Sequence, residues 1–236
     1  NAGYSAAEQK VAGYTSGDLK GAGYAASDLK AAGYSAFELK TAGYTTADLR
    51  SALYTAVQLK AAGYSAPQMK AAGYSLKQLK GAGYVLSELK TARYTALELK
   101  ASGYTMQELK SSGYLAAEMK LALYSANQLT GAGYALSELK DAGYDATELK
   151  VSGYSAAELT IAGYSVTQLK QSGYQAADCK AAGYSAAELR SAGFTLQQLK
   201  AAGCTHQELM TAGFSAAALR VLTNTLAKDG AMTLRA

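Results

Sequence analysis

The chain has 236 residues, of which 49% are hydrophobic and 17% are charged, a composition that argues against intrinsic disorder and is ample for a continuous core. A charged residue interrupts nearly every decapeptide, so no stretch of about 20 apolar residues predicts a transmembrane helix. The formal net charge of +5 suggests an acidic partner only if the basic residues cluster on one surface.

From Asn1 to Arg220 the sequence repeats one ten-residue phrase in strict register, without insertion or deletion. Its most frequent wording is A-G-Y-S-A-x-E-L-K-x, so the last digit of a residue number gives the position within the repeat. A unit this short cannot bury an apolar face by itself, and its stability must come from its neighbours. The sequence therefore predicts a stacked solenoid over residues 1–220.

Each phrase carries the signals that begin and end a short helix. In the repeat that starts at Ser185, this residue and Glu188 form a capping box, in which each side chain accepts a hydrogen bond from the backbone N–H of the other. Gly193 stands where a Schellman-type stop needs a left-handed residue, and Phe194 follows as its hydrophobic partner. We therefore predict an all-α chain of about 22 short capped helices, one per decapeptide.

Departures from the phrase recur at every third repeat. The capping Ser or Thr is absent from six repeats, and five of these, repeats 3, 9, 12, 15 and 18, are separated by multiples of three, the exception being repeat 14 with Ala135. The residue after the cap is enlarged in repeats 8, 11, 14, 17 and 20, where it is Leu76, Met106, Leu136, Val166 and Leu196. These two positions predict that three helices, one from each of three successive repeats, make one superhelical turn, with helices n and n+3 stacked. Antiparallel hairpins with two helices per turn are the alternative.

The two ends of the array differ from its middle. In the first repeat Gln9 replaces the core Leu, which suits a frayed end. From Val221 the register is lost, and a solenoid needs an atypical unit to cover its last core layer. We therefore predict that residues 221–236 form a C-terminal capping segment, with attachment to a further domain as the alternative.

Written in fives, as Ala-Gly-Tyr-Ser-Ala and Ala-Glu-Leu-Lys-Ala, the array also resembles the pentapeptide-repeat family over nearly its whole length. This resemblance implies a four-sided right-handed β-helix with twenty residues per coil, in a family that includes acidic DNA mimics. The chain departs from the family pattern in its Gly and Glu before the central residue and in its basic net charge. The capping box has no role in a β-helix, which favours the helical solenoid. These features place the decapeptide in no named helical family.

No arrangement of residues points to catalysis or to a bound cofactor. The single His, His206, has only Cys204 nearby as a second ligand, whereas a structural zinc site uses four. The Ser residues occupy cap positions, and none stands with a His and an acid as a catalytic triad. The Gly residues are spaced by one repeat and do not cluster as a phosphate-binding loop. We therefore expect a protein that is not an enzyme and holds no metal or cofactor.

The two cysteines, Cys179 and Cys204, replace the core Leu and the Tyr of the repeat. Both are therefore expected to be small core residues, and no disulfide framework is predicted. This cysteine usage favours a soluble protein in a reducing compartment, such as the cytoplasm or the interior of an organelle.

Most Lys and Arg residues occupy the tenth position and most acidic residues the eighth, which predicts two solvent-facing rows of opposite sign. In repeats six to eight, however, Gln58, Gln68 and Gln78 replace the acids. Uncompensated cations there would bind nucleic acid or another anionic surface. The candidate residues for such a basic patch are Lys60, Lys70, Lys77 and Lys80.

Large apolar residues at variable positions are the candidates for docking a protein partner. They are Phe37, Leu53, Val57 and Leu97, of which Leu53 replaces the Gly of the helix stop. Local packing against a neighbouring turn is the alternative for these side chains. The leading functional hypothesis is a structural or scaffolding protein that presents an extended surface to protein partners, for instance as a subunit or spacer of a larger assembly.

Overall fold

A computed structural model describes residues 3–221, and the regular secondary structure among them is entirely α-helical. The helices are α1 (Ala6–Val11), α2 (Ser16–Gly21), α3 (Ala26–Ala31), α4 (Ala36–Thr41), α5 (Thr46–Ser51), α6 (Ala56–Ala61), α7 (Ala66–Ala71), α8 (Leu76–Gly81), α9 (Leu86–Thr91), α10 (Ala96–Ala101), α11 (Met106–Ser111), α12 (Ala116–Leu121), α13 (Ala126–Gly131), α14 (Leu136–Asp141), α15 (Ala146–Val151), α16 (Ala156–Ile161), α17 (Val166–Gln171), α18 (Ala176–Ala181), α19 (Ala186–Ser191), α20 (Leu196–Ala201) and α21 (His206–Thr211). A further helix, α22, begins at residue 216 and reaches residue 221. The prediction of an all-α decapeptide solenoid is confirmed, and the β-helix alternative is not supported.

A capping box begins most of the helices. At α19 the Ser185 Oγ accepts from the Glu188 N–H at 3.3 Å, and a Glu188 carboxylate oxygen accepts from the Ser185 N–H at 2.8 Å. Where the cap residue has no hydroxyl, the second bond remains, as in the 2.8 Å bond from the Val85 N–H to Glu88. A repeat that loses its capping hydroxyl therefore still begins its helix at the same position.

The helix stop is a Schellman motif. After α19 the Gly193 N–H donates to the Arg190 carbonyl at 2.8 Å, and the Phe194 N–H donates to the Leu189 carbonyl at 3.1 Å. Gly193 has a φ of 88°, in the left-handed region that this turn requires. The same bonds occur where a side chain replaces Gly, since the Leu53 N–H donates to the Arg50 carbonyl at 2.8 Å.

The described residues divide into two compact units, unit 1 ending at Tyr114 and unit 2 beginning at Leu115. Within each unit, odd-numbered helices stack on odd-numbered helices and even-numbered on even-numbered. In unit 1, α1 contacts α3 and α2 contacts α4, and in unit 2, α12 contacts α14 and α13 contacts α15. The predicted boundary between a solenoid over 1–220 and a cap over 221–236 stays a prediction, because residues 222–236 lie outside the described part.

One turn therefore contains two helices, and the predicted turn of three helices is wrong. The physical reason is the tyrosine hydroxyl, which donates to the backbone carbonyl of the Tyr two repeats earlier, for example from Tyr54 to Tyr34 at 2.5 Å. A spacing of three repeats alternates between the two stacks of helices. The enlarged residues, such as Leu76 and Met106, accordingly do not lie above one another and are half-buried.

The core of each unit lies between its odd-numbered and even-numbered helices. The ninth position of the repeat supplies a fully buried Leu or Met in most layers, and the sixth position supplies a small Ala beside it. The Tyr ring at the fourth position closes the layer and is buried in most repeats. At the first helix Gln9 takes the place of the core Leu and is half-buried, as a terminal layer allows.

Leu53 offers a test of the backbone strain that the array accepts. Its φ is 62° and its side chain is 78% exposed, so little buried area compensates for the left-handed conformation. We expect Leu53→Gly to raise the free energy of unfolding by about 1 kcal/mol, measured by urea denaturation. The reverse change at an equivalent turn, Gly63→Leu, should lower it by a similar amount. Equal stability of both variants and the parent would contradict this account.

Candidate interaction surface

The fourth, eighth and tenth positions of the repeat make most of the polar bonds within and between layers. The tyrosine hydroxyls form a ladder, in which Tyr74 donates to the Tyr54 carbonyl at 2.6 Å in unit 1 and Tyr164 donates to the Tyr144 carbonyl at 2.6 Å in unit 2. Burial raises the pKa of Tyr84 to about 12, with the nearby Glu88 carboxylate adding to the rise. These phenols are therefore structural groups that stay protonated near neutral pH.

The Lys side chains of the tenth position also join successive layers. The Lys40 Nζ donates to the Gly63 carbonyl at 2.6 Å and lies 5.0 Å from the centre of the Tyr64 ring. This arrangement combines a charge-assisted hydrogen bond with a cation–π contact. The expectation that these cations simply face solvent is wrong, because they bind the turn of the next layer.

The carboxylates of the eighth position serve the caps first. Hydrogen bonds from the Ser35 side chain and backbone hold the pKa of Glu38 below its ordinary value. At three described sites a Lys on an earlier layer also binds this carboxylate. These ion pairs join Lys60 to Glu88 at 3.4 Å, Lys120 to Glu148 at 3.1 Å and Lys180 to Glu208 at 3.2 Å.

The buried phenols predict alkaline unfolding. Burial raises the pKa of Tyr84, Tyr134 and Tyr144 from 10.0 to about 12. Above pH 10 the unfolded chain loses phenolic protons that the folded chain keeps. The contribution of these phenols to the free energy of unfolding is therefore fully present below pH 10 and is lost as the pH rises towards 12. We expect the helical circular-dichroism signal to disappear in this window as tyrosinate absorbance rises. Full tyrosinate formation with an intact helix signal would contradict it.

Three of the four basic-patch candidates already have partners within the fold. Lys60 binds the Gly83 carbonyl, Lys70 binds the Arg93 carbonyl at 2.9 Å and Lys80 binds the Ser102 carbonyl at 3.2 Å. Lys77 is exposed on the second residue of α8 and makes no hydrogen bond or ion pair within the described range 3–221. The structure therefore does not present these four ammonium groups as one set of free cations.

Lys80 and Lys77 lie on the same helix, α8, and allow a controlled comparison between a Lys that is bonded within the fold and one that, in the described part of the chain, is not. The Lys80 ammonium lies 3.9 Å from the centre of the Tyr104 ring in addition to its carbonyl bond, whereas Lys77 is exposed. We expect Lys80→Met to lower the free energy of unfolding by about 1 kcal/mol and Lys77→Met to change it by less than about 0.5 kcal/mol. Thermal and urea unfolding of both variants check this difference, which equal losses would refute.

The four apolar docking candidates are all exposed. The exposed fraction is 65% for Phe37, 78% for Leu53, 58% for Val57 and 48% for Leu97. Phe37, Val57 and Leu97 are each the second residue of an even-numbered helix, and Leu53 lies in the turn that leads into α6. With two repeats per turn, these side chains lie on one edge of unit 1. We call residues 33–37, 53–57, 73–77 and 93–97 the even edge.

Grooves between successive layers run across the even edge. One has a volume of about 520 Å³ and is lined by Phe37, Tyr34, Tyr54 and the amide side chain of Gln58. The next, of about 440 Å³, is lined by Leu53, Val57, Tyr74 and Gln78, with Gly81 and Ala82 leaving space at its wall. The Gln substitutions noted in the sequence therefore remove acids from two apolar grooves.

The even edge also includes two cations. Lys77 occupies the same repeat position as Phe37 and Val57, and Arg93 occupies the position of Leu53. Arg93 is exposed in a turn with a φ of 57°, and its carbonyl accepts from Lys70. Sequence reasoning did not connect Arg93 with the docking candidates. Aligning the sequence at a period of two repeats would have placed all six side chains on one edge.

The opposite edge of unit 1 is different in composition. Its turns lead into odd-numbered helices and comprise residues 23–27, 43–47, 63–67, 83–87 and 103–107, which we call the odd edge. Its third position is always Gly, and its seventh position is Ser27, Ala47, Pro67, Ser87 and Gln107. One large apolar side chain, Val85, is exposed there. The side chains that depart most from the repeat are thus concentrated on the even edge.

The remaining chemistry-bearing residues are dispersed in unit 2. Cys179 and Cys204 are both buried free thiols, and burial raises the pKa of each. His206 is exposed at the first residue of α21. Between residues 3 and 221, no three His, Cys, Asp or Glu side chains lie close enough together to hold a metal ion.

The helices that the structure describes are too short, and not apolar enough, for any of them to cross a membrane.

Comparison with known proteins identifies the repeat. A family model described as a decapeptide repeat region matches residues 1–66, 43–116, 103–176 and 173–227. No curated protein and no solved structure matches the chain. The four overlapping segments span the array from its first residue into the segment that follows Arg220, and they confirm the decapeptide tandem repeat.

Proposed function

The chain belongs to the decapeptide repeat region family, and from this premise we propose that it is a non-enzymatic structural or scaffolding protein. In this role it presents an extended surface to protein partners, as a subunit or spacer of a larger assembly. Two buried free thiols support our placing it in a reducing compartment.

The observation that supports the proposal is that some repeat positions are bonded within the fold, whereas others are exposed to solvent. The Tyr, Lys, Ser or Thr and acidic positions are occupied by bonds within and between layers, as in the Tyr64, Lys40 and Glu38 contacts. The seventh position is exposed and varies from repeat to repeat, and on the even edge it is Phe37, Val57, Lys77 and Leu97. Exposed apolar side chains that the fold does not use are typical of a protein-binding surface.

Binding of nucleic acid through the basic stretch has less support. Electrostatic binding requires several free cations on one surface. Lys60 and Lys80 bind turns that lead into odd-numbered helices, whereas Lys70 binds a turn that leads into an even-numbered one. The candidate cations therefore lie on two edges, and most are engaged within the fold.

A variant comparison tests the proposed function. The tagged protein is returned to its source cells and its cross-linked partners are identified by mass spectrometry. The test variant combines Phe37→Ser, Leu53→Gly, Val57→Ser and Leu97→Ser. The control combines Val151→Ser and Ile161→Ser, which remove the exposed apolar residues at the ends of α15 and α16.

We expect at least one partner to be retained by the parent and the control and to fall about tenfold in the test variant, because interface energy is concentrated in a few apolar anchors. Circular dichroism checks that all three proteins are folded. An identical set and yield of partners for all three would contradict a role for the even edge in scaffolding.

A further inference from the structure

The even edge pairs an apolar half with a cationic half. Phe37, Leu53 and Val57 occupy the layers of α4 and α6, whereas Lys77 and Arg93 occupy the layers of α8 and α10. The apolar Leu97 lies in the same layer as Arg93. The two halves lie in adjacent layers, since the Tyr74 hydroxyl binds the Tyr54 carbonyl. The surface thus gains positive charge along the direction in which the layers stack.

The backbone of the even edge accepts strain that the fold does not need. Leu53 and Arg93 have φ values of 62° and 57°, whereas the odd edge has Gly at every equivalent turn. Both side chains are exposed, so neither gains burial in return. Left-handed residues with a side chain cost about 1–2 kcal/mol each, which indicates that these two side chains have a use outside the fold.

Around the two cations positive charge exceeds negative charge, although the Glu98 carboxylate lies in the same layer as Arg93 and interacts with Lys70. On this edge the eighth position is Gln58 and Gln78 in the two middle layers, and no acidic residue occurs in α6 or α8. The Glu98 carboxylate on α10 accepts from the Thr95 N–H at 2.7 Å and from its hydroxyl at 2.9 Å. The Lys70 ammonium adds a third positive charge next to Arg93, whose carbonyl it binds.

We propose that the even edge binds an amphipathic α-helix of a protein partner, whose contacting face is apolar over one half and acidic over the other. This inference rests on the proposed function and specifies its partner. The apolar half enters the grooves beside Phe37 and Val57, and the acidic half pairs with Lys77 and Arg93. A second copy of this chain does not fit an edge-to-edge contact in register, because its own Lys77 and Arg93 would meet these cations.

The dimensions agree with a helix. Packed helical layers are about 8–10 Å apart, and a helix returns to the same face after seven residues, or about 10.5 Å. Side chains seven residues apart on the partner therefore meet successive layers. Four layers, from α4 to α10, require a helix of about 16–20 residues, which is the helix-in-groove mode of recognition.

Two synthetic peptides, each long enough to span the four layers, test the proposal by fluorescence anisotropy. Both carry Leu residues on one half of the contacting face. On the other half of that face the acidic probe has Glu and the basic probe has Lys. We expect the parent to bind the acidic probe, with affinity falling at least about tenfold between about 50 and 300 mM salt. Lys77→Glu with Arg93→Glu should weaken the acidic probe at least about tenfold and strengthen the basic probe.

The apolar half is tested separately with the double variant Leu53→Gly with Val57→Ser, in which the first change relieves backbone strain and so does not unfold the chain. We expect this double variant to bind the acidic probe about tenfold more weakly than the parent does. The control for the charge-reversal variant, Lys77→Glu with Arg93→Glu, introduces two Glu residues on the odd edge instead, through Ser87→Glu and Gln107→Glu. This control should bind the acidic probe as the parent does.

Five outcomes would overturn the proposal, and the first four involve binding or self-association. These are equal binding of the two probes, binding that the even-edge variants leave unchanged, tighter binding of a short single-stranded DNA than of the acidic probe, and self-association in sedimentation that Phe37→Ser abolishes. Failure of both peptides to bind would also overturn it. The proposed function would then still stand if the partners identified in cells depend on the apolar residues of the even edge.

Discussion

The hydrogen bond from a tyrosine hydroxyl to the tyrosine carbonyl two repeats earlier, which recurs along both units, is the interaction on which the array depends. A buried phenol without a partner would cost about 1–3 kcal/mol, and the sequence places one in most layers. The carbonyl of the preceding layer satisfies it only when two helices make a turn, as in the bond from Tyr114 to Tyr94. One side chain therefore provides core volume, sets the size of the turn and fixes the position of the next layer.

Because the layers are joined by bonds at fixed repeat positions, most of each decapeptide is committed to folding. The cap residue, the acid, the core Leu, the Lys and the Tyr each have a partner in the same layer or the next, as Ser185, Glu188 and Phe194 illustrate. What is left for recognition is a small number of exposed positions per layer. A binding surface on such a protein is consequently assembled from several layers, each contributing one or two side chains.

The local structure could be predicted from the sequence because it depends on contacts between residues three to five positions apart, such as Ser185 with Glu188. The turn could not, because the bond from Tyr54 to Tyr34 joins separate repeats and leaves no local pattern. The three-repeat spacing of Leu76 and Met106 therefore predicts a stacking period that the fold does not have. Individual apolar candidates such as Phe37 can be found from the sequence, but their combination with Arg93 requires the two-repeat period.

Because each turn contains two helices, odd-numbered and even-numbered repeats lie on opposite edges of each unit. Inserting or removing a single decapeptide within a unit would move every later residue of that unit to the opposite edge, although each helix would still begin and end as before. One repeat added after Phe37, for example, would leave Phe37 in place and carry Val57 and Leu97 to the other edge. Changes of two repeats would preserve both edges. For this fold, the length of the array can therefore vary in pairs of repeats without altering either edge. Adding or removing an odd number of repeats would change which side chains share an edge but would leave the core unchanged.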